Sequence, residues 1–423
     1  MAESTQDQAT VPLLVYTDEL QPGMMMHDPV VSNGRVMLQS GRVLTAADIL
    51  VIRRRYPGMR VRVHDPVLDS VVDFEDDSRE RHVADETQQR VARCLTEVRE
   101  RFSNRTAVSQ VDCGLLQATV RELMEFLKAN PTSAAVVANC LDSRHYLGVH
   151  AGNVFYLSML LAAASMDYLI SERLRQMRAR DVAPTFAGDL TPLGLAAMVM
   201  DLGMQPLQHL TELERPLTDA ERDAIRRHPL DGFNLLPDGF SAVARAVVKT
   251  HHENMAGTGY PQQLPGDRLH IFARIVRIAD AFDAATSDRV FRAAKSPARV
   301  LWEMTIGPMR HFYDAKLVQV FAGLVQPFPI GSKLRLRDGR YAPVVKYNRE
   351  DPFDPYVIIA FDASNRRLPR AQLEGPLRLS SRPDLRLASL AGEDLSYLHS
   401  REPVDGDEFE AHRFRTPLQA AYP

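Results

Sequence analysis

From about residue 87 to residue 325 the chain reads as one helical pattern after another, with almost no strand-like alternation. The interruptions are short: Pro131, Pro184–Asp189, Pro237-Asp238-Gly239 and the loop around Gly257–Gly266. A run of this length commits the middle of the chain to an all-α domain. The expected fold class is therefore mainly α, an all-helical domain with small flanking modules.

The flanks differ from it. Residues 11–65 read as a small α+β module. Val11–Tyr16 is strand-like, Gln21-Pro22-Gly23 is a turn, and Arg35–Leu38 and Val43-Leu44 flank a break at Ser40-Gly41. Thr45 reads as the N-cap of a helix over Ala46–Tyr56, and Val61–Val63 is a further strand. Residues 66–90 turn acidic, at Asp73, Glu75, Asp76 and Asp77, and read as a linker into the helical domain at 91–325. Residues 326–378 alternate and turn like a small β module. Residues 379–423 are polar, with scattered Pro and charge, and read as a poorly ordered tail; residues 1–10 read as disordered.

The net charge of −3 leaves no footprint of a nucleic-acid binder. Cys94, Cys113 and Cys140 lack paired short spacing, which argues against a disulfide framework and fits a cytoplasmic setting. The start, MAESTQDQAT, carries no secretory signal pattern, and the most apolar run, Val154–Met166, is too short to span a bilayer. That run reads as a buried core helix.

Within the helical domain several groups carry chemistry. His251-His252-Glu253 is followed by Gly257-Thr258-Gly259-Tyr260-Pro261, which sets adjacent imidazoles beside a rigid turn. Asp201 lies in the apolar run LAAMVMDLGM, and a buried carboxylate must find a cation or strong donors. His150 lies on an apolar helix. His228 precedes Pro229, at the end of a helix opened by a capping box at Thr218 and Glu221. Asp280 lies in Ile275–Phe282, another apolar helix. Each alone has a bland reading as a cap, a salt bridge or a hydrogen-bonded core residue. Six together on successive core helices suggest metal ligands, since imidazole with carboxylate suits iron, manganese, zinc or nickel. Two such ions can clamp the attacking and leaving oxygens of a phosphodiester.

The order of these motifs resembles the HD-GYP family of HD-superfamily phosphohydrolases. The matching pieces are His150-Ala-Gly-Asn153-Val154, Met200-Asp201 with Gly203, Arg227-His228-Pro229, the run from His251 to Pro261, and Ala279-Asp280 through Phe282-Asp283 to Thr286-Ser287-Asp288-Arg289. Together they cover about residues 140–325. The resemblance implies a metal-dependent cyclic di-GMP phosphodiesterase of bacterial second-messenger signalling. It implies two divalent transition metals, iron or manganese. His150, Asp201 and Asp280 would hold one, and Asp201 would bridge to a second held by His228, His251 and His252. Arg289 would meet a phosphate, and Gly259-Tyr260-Pro261 would form a lip for a guanine or for a signalling protein. A homodimer is a further expectation.

Three positions depart from the family pattern. Met200 stands where the histidine of the His-Asp pair is expected, Met204 where a phosphate-binding lysine is expected, and Ala256 where an aspartate is expected. A thioether is a poor ligand for hard divalent ions, so the first metal position is expected to be weak or empty. Two readings stay open: an enzyme of weakened activity, and a non-catalytic module that binds cyclic di-GMP or a protein.

Overall fold

The computed structural model describes residues 12–399 with gaps, the longest over 75–81, 97–112, 130–145 and 177–186. The chain divides into two compact units. One combines residues up to 78 with residues from 326 onward; the other is the stretch between them.

In the first unit, β1 (Leu13–Tyr16) pairs antiparallel with β5 (Arg60–His64), and β2 (Met25–Met26) pairs with β5 on its other side. β3 (Val30–Ser32) and β4 (Arg35–Leu38) form a hairpin. Helix α1 (Ala46–Arg55) opens as expected at Thr45, whose side chain accepts from the Asp48 amide. A short helix, α2 (Pro66–Asp69), follows with Asp65 as its cap. The later residues form a six-stranded sheet in the order β11-β10-β6-β7-β8-β9. Its strands are β6 (Lys333–Leu336), β7 (Tyr341–Lys346), β8 (Tyr356–Ile359), β9 (Glu374–Arg378), β10 (Leu387–Leu390) and β11 (Glu393–Asp394).

Three expectations need correction here. The modules at 11–65 and 326–378 are one folded unit, not two. Val15, Met26 and Val63 share a core with Val345, Ile358 and Phe361. The Leu14 amide donates to the Gly331 carbonyl at 3.0 Å, and buried Asp65 pairs with Arg367 at 2.6 Å. A piece of either length buries only a modest share of its surface alone and is marginal, so a shared core stabilises both. The stretch from 379 is also folded as far as His399, because Leu385, Leu387, Leu395 and Leu398 are buried between its polar residues. The fold likewise continues past residue 65, with Leu68 and Val72 buried. The expectations for residues 1–10, the acidic residues 75–81 and residues 400–423 lie outside the described residues.

The second unit is helical among its described residues, as the pattern implied. Its helices are α3 (Cys113–Ala129), α4 (Tyr146–Ala164), α5 (Met166–Gln176), α6 (Thr191–Val199), α7 (Asp219–Leu235), α8 (Ala242–Thr250), α9 (Ile271–Thr286), α10 (Pro297–Thr305) and α11 (Ala315–Leu324). Helices α4, α6 and α9 form the centre. Val154, Phe155, Leu157 and Leu161 of α4 and Phe272, Ile275, Ile278 and Phe282 of α9 are buried. Burial of large aliphatic and aromatic side chains, each worth about 1.5–3 kcal/mol, supplies most of what holds such a bundle. Helices α4 and α5 meet at an 89° bend, and among the described residues no single helix is long and apolar enough to cross a membrane.

Candidate metal centre

Five segments deliver side chains to one place. Helix α6 ends at Met200, and Asp201 sits where the chain turns into a 3-10 helix over Leu202–Glu212. That turn lies directly on α7: a Cβ at Gly203 would fall 2.2 Å from the His228 carbonyl oxygen, so only glycine allows the approach. Asp201 is thereby brought beside His228, with its Oδ1 3.2 Å from His228 Nε2.

The sequence reading ended the α7 helix at His228, but the helix runs through Pro229 to Leu235. Proline has no N–H to donate to the carbonyl four residues back, which is that of Ile225. The His228 ring fills the gap, with Nδ1 2.6 Å from the Ile225 oxygen. A carbonyl only accepts, so Nδ1 carries the hydrogen and Nε2 presents its lone pair. His251, at the end of α8, does the same: its Nδ1 donates to the Val248 carbonyl at 2.7 Å, one of the last carbonyls of a helix end. The two Nε2 atoms then face each other at 3.2 Å, with no hydrogen between two lone pairs in these tautomers. Asp201, His228, His251 and His252 can each offer a ligand atom within 4.8 Å of the others, and the group could hold a metal ion.

A second group adjoins the first. His150 Nε2 lies 3.2 Å from Asp280 Oδ1 and 3.5 Å from Asp201 Oδ2. Asp201 therefore turns one oxygen to each group. On the far side of the ring, His150 Nδ1 meets Asp283 Oδ2 at 2.6 Å, and Asn153 donates to Asp283 Oδ1 at 2.6 Å. Asn153 lies one turn beyond His150 on α4, and Asp283 one turn beyond Asp280 on α9, so the repeat of the helix puts them on the site's face.

The electrostatics suit a cation. Burial penalises ionised Asp201 and Asp280, yet the surrounding imidazoles prevail: His228 holds Asp201 far below the usual carboxylate range, and His150 holds Asp280 at about 2. Burial also disfavours protonation of the imidazoles. In His251, at about 4, and in His252 it prevails, reinforced by neighbouring imidazoles. In His150, raised to about 10, it is outweighed by hydrogen bonds to Asp280 and Asp283, and in His228 it is outweighed by Asp201. His228 and His251 respond in opposite directions because Asp201 lies closer to His228, at 3.2 against 3.8 Å, and a charged His228 repels a proton on buried His251. Ionised carboxylates, neutral His251 and His252, and His150 and His228 able to exchange a proton for a cation are a donor set suited to a divalent transition metal.

The loop after the histidines is built onto the site. Glu253 is not aimed at the cluster; its carboxylate accepts the amides of Gln262 at 2.6 Å and Leu264 at 3.1 Å, holding the loop closed. A Cβ at Gly259 would fall 2.4 Å from the Glu253 Cα, so this position too must be glycine. Tyr260 stacks on His252, ring centres 4.7 Å apart and planes at 29°, and Pro261 follows. Met200 and Met204 are both buried. Arg289 lies outside the described residues. The sequence reading assigned no part to Asp283, Asn153 or Arg277. A spacing of three from Asp280 was the one available signal for Arg277, and Asp283 lay within a matching run.

Helices that converge buried histidines and aspartates around a shared carboxylate form an HD-type arrangement. Residues 168–317 match the family model described as the HD domain. The chain is 31% identical over 177 residues to a cyclic di-GMP phosphodiesterase of Pseudomonas aeruginosa, covering 41% of this chain and 42% of that one. It is 33% identical over 120 residues to a cyclic di-GMP phosphodiesterase of Vibrio cholerae, covering 26% and 24%. It is 35% identical over 103 residues to a 3'3'-cGAMP-specific phosphodiesterase of Vibrio cholerae, covering 23% and 22%. The chain thus spans less than half the length of these relatives. Its helical unit carries an HD domain of the HD-GYP type.

Proposed function

We propose that the helical unit is a metal-dependent phosphodiesterase acting on cyclic di-GMP or a closely related cyclic dinucleotide, with one firm metal position and one weak one. The observation that carries this reading is the Asp201 carboxylate, shared between His228 and His251 on one side and His150 on the other. The firm position is the group of His228, His251, His252 and Asp201. The weak one is that of His150, Asp280 and Asp201, where Met200 contributes no imidazole. When bound, a divalent ion would polarise a phosphoryl oxygen and acidify a water. The protein's own part is to fix the ligands. Asp283 holds the His150 ring by its Nδ1 hydrogen, and the Ile225 and Val248 carbonyls hold those of His228 and His251. Glu253 keeps the loop shut, so Tyr260 and Pro261 form a rigid lip for a base. Arg289 would serve as a phosphate contact, as the family resemblance implies.

The relatives support the substrate class, and the six converging side chains support the chemistry. The loss of an imidazole at Met200 and of a cation at Met204 supports the second reading, a binder without turnover. Metal content and cyclic di-GMP hydrolysis measured on one preparation separate the two. The expected result is between one and two transition-metal ions per chain, with slow hydrolysis. Protein purified without any transition metal, and inert after reconstitution with iron or manganese, would eliminate the enzymatic reading. Tight binding of cyclic di-GMP without hydrolysis would establish the binder. Cytoplasmic placement in a bacterial signalling role, a dimer and a protein partner at the Tyr260 lip belong to the same proposal.

A further inference from the structure

Two arginines lie one turn apart on α9, and they are held in different ways. Arg274 is a structural arginine. Its Nη1 lies 3.0 Å from Glu172 and 3.1 Å from Asp314, and its side chain is 4% exposed. Arg277 has no such partners. Its Nη1 reaches only 3.5 Å from Asp280 Oδ2 and 3.5 Å from His252 Nδ1, the long limit of a hydrogen bond. Its Nε is buried with no hydrogen-bond partner, as are Nε and Nη2 of Arg274, but Arg277 lacks the close carboxylates of Arg274 and its side chain is 21% exposed at the site. The Tyr313 ring, 5.9 Å away, supplies an apolar wall. Asp280 is no strong partner for it either, since His150 engages that carboxylate more closely, at 3.2 Å.

A guanidinium carries five donors in a planar fork matched to phosphate. One that is partly desolvated and poorly paired bears a cost that a bound anion would remove. Its place matters as much. It touches one proposed ligand from each group, Asp280 and His252, at the edge of a site crowded with Asp201, Asp280 and Asp283. An anionic diester entering such a site meets repulsion unless a cation offsets it. Buried Met204 offers none.

We propose that Arg277 binds a non-bridging phosphate oxygen of the cyclic dinucleotide, as a phosphate-contacting residue supplied from α9. This rests on the phosphodiesterase or binder reading above. The test uses the full chain with Arg277→Gln and Arg277→Lys. Three quantities are read for each: metal content by elemental analysis, cyclic di-GMP affinity by calorimetry, and binding of bis(p-nitrophenyl) phosphate. Arg277→Gln is expected to weaken cyclic di-GMP binding by about 10- to 100-fold with metal content unchanged. Arg277→Lys should recover part of the loss, because it keeps the charge without the fork. Unchanged affinity in Arg277→Gln, where the wild type binds, overturns this proposal alone. Affinity lost together with metal also overturns it, because the arginine would then be acting through Asp280. A wild type that binds neither ligand with metal present overturns both this proposal and the reading beneath it. Should Arg277→Gln lose helicity by circular dichroism, Arg277→Lys decides: weakened affinity with the metal retained supports the contact, and unchanged affinity or loss of the metal overturns it.

Discussion

The two halves of the site fix their imidazoles by different means. His228 and His251 are held by backbone carbonyls, at 2.6 and 2.7 Å. His150 is held by the carboxylate of Asp283, at 2.6 Å. A carbonyl leaves a neutral imidazole with an open lone pair on its other nitrogen. A carboxylate adds negative charge and draws the ring toward the protonated form, as the rise of His150 to about 10 reflects. In the first half His251 stays neutral while Asp201 draws His228 toward the protonated form, so that half is prepared to receive a cation in exchange for a proton on His228. The second half, between Asp280 and Asp201, is prepared to receive either a cation or a proton on His150. Preorganisation, as much as ligand count, sets the difference between a firm and a weak metal position.

Making the halves alike should have the largest effect. Met200→His adds an imidazole next to Asp201, and Met204→Lys adds a cation one 3-10 turn further on. The double variant is expected to bring metal content to two ions per chain and to raise cyclic di-GMP hydrolysis by about 10²-fold. Elemental analysis and turnover on the same sample check this. If the wild type already hydrolyses at the variant's rate, the halves do not differ in the way described.

Weakening the second half alone is the next test. Asp283→Asn keeps the shape but removes the charge that orients His150. Metal affinity in that half should fall about 10- to 100-fold, with the His228 half keeping its ion. Titration with manganese, followed by elemental analysis, would resolve one loss from two. Loss of both ions together would mean that Asp201 couples the halves too tightly to be treated as separate positions.

Much of this was legible in the sequence, and what was not has physical causes. The helical domain followed from its pattern, and the capping boxes at Thr45 and Thr218 stand where Ser/Thr chemistry puts them. The six proposed ligands were nameable because imidazoles and carboxylates in apolar helices are costly without a partner. Glu253 follows His252 directly, yet a residue just past a helix end can turn away, and this one closes the loop. Asp283 lay within a matching run but was given no part, and Arg277 carries no distinguishing mark, since a charge at spacing three along a helix is usually solvated. The joining of the two flanking modules depends on pairings such as Leu14 with Ser332, more than 300 residues apart, and no local pattern encodes them. The leucines after residue 379 were masked by their polar neighbours.

The smallest expected effect isolates how the first half is preorganised. Pro229→Ala returns an N–H to the α7 backbone, which can then donate to the Ile225 carbonyl and compete with His228 Nδ1. Removing an internal proline should stabilise the helix, by up to about 3 kcal/mol in a fully exposed setting and less here. The His228 ring, released from its acceptor, can rotate or move its hydrogen to Nε2, and metal affinity in the first half should fall several-fold. Stability of the metal-free protein and affinity for the ion are therefore expected to move in opposite directions, a pattern that simple damage to the fold does not produce. Thermal melts of the chelator-treated protein beside manganese titrations supply both readings. Higher stability with unchanged metal affinity would show that the carbonyl of Ile225 is not what aims His228, and the contrast between the halves would have to rest on charge alone.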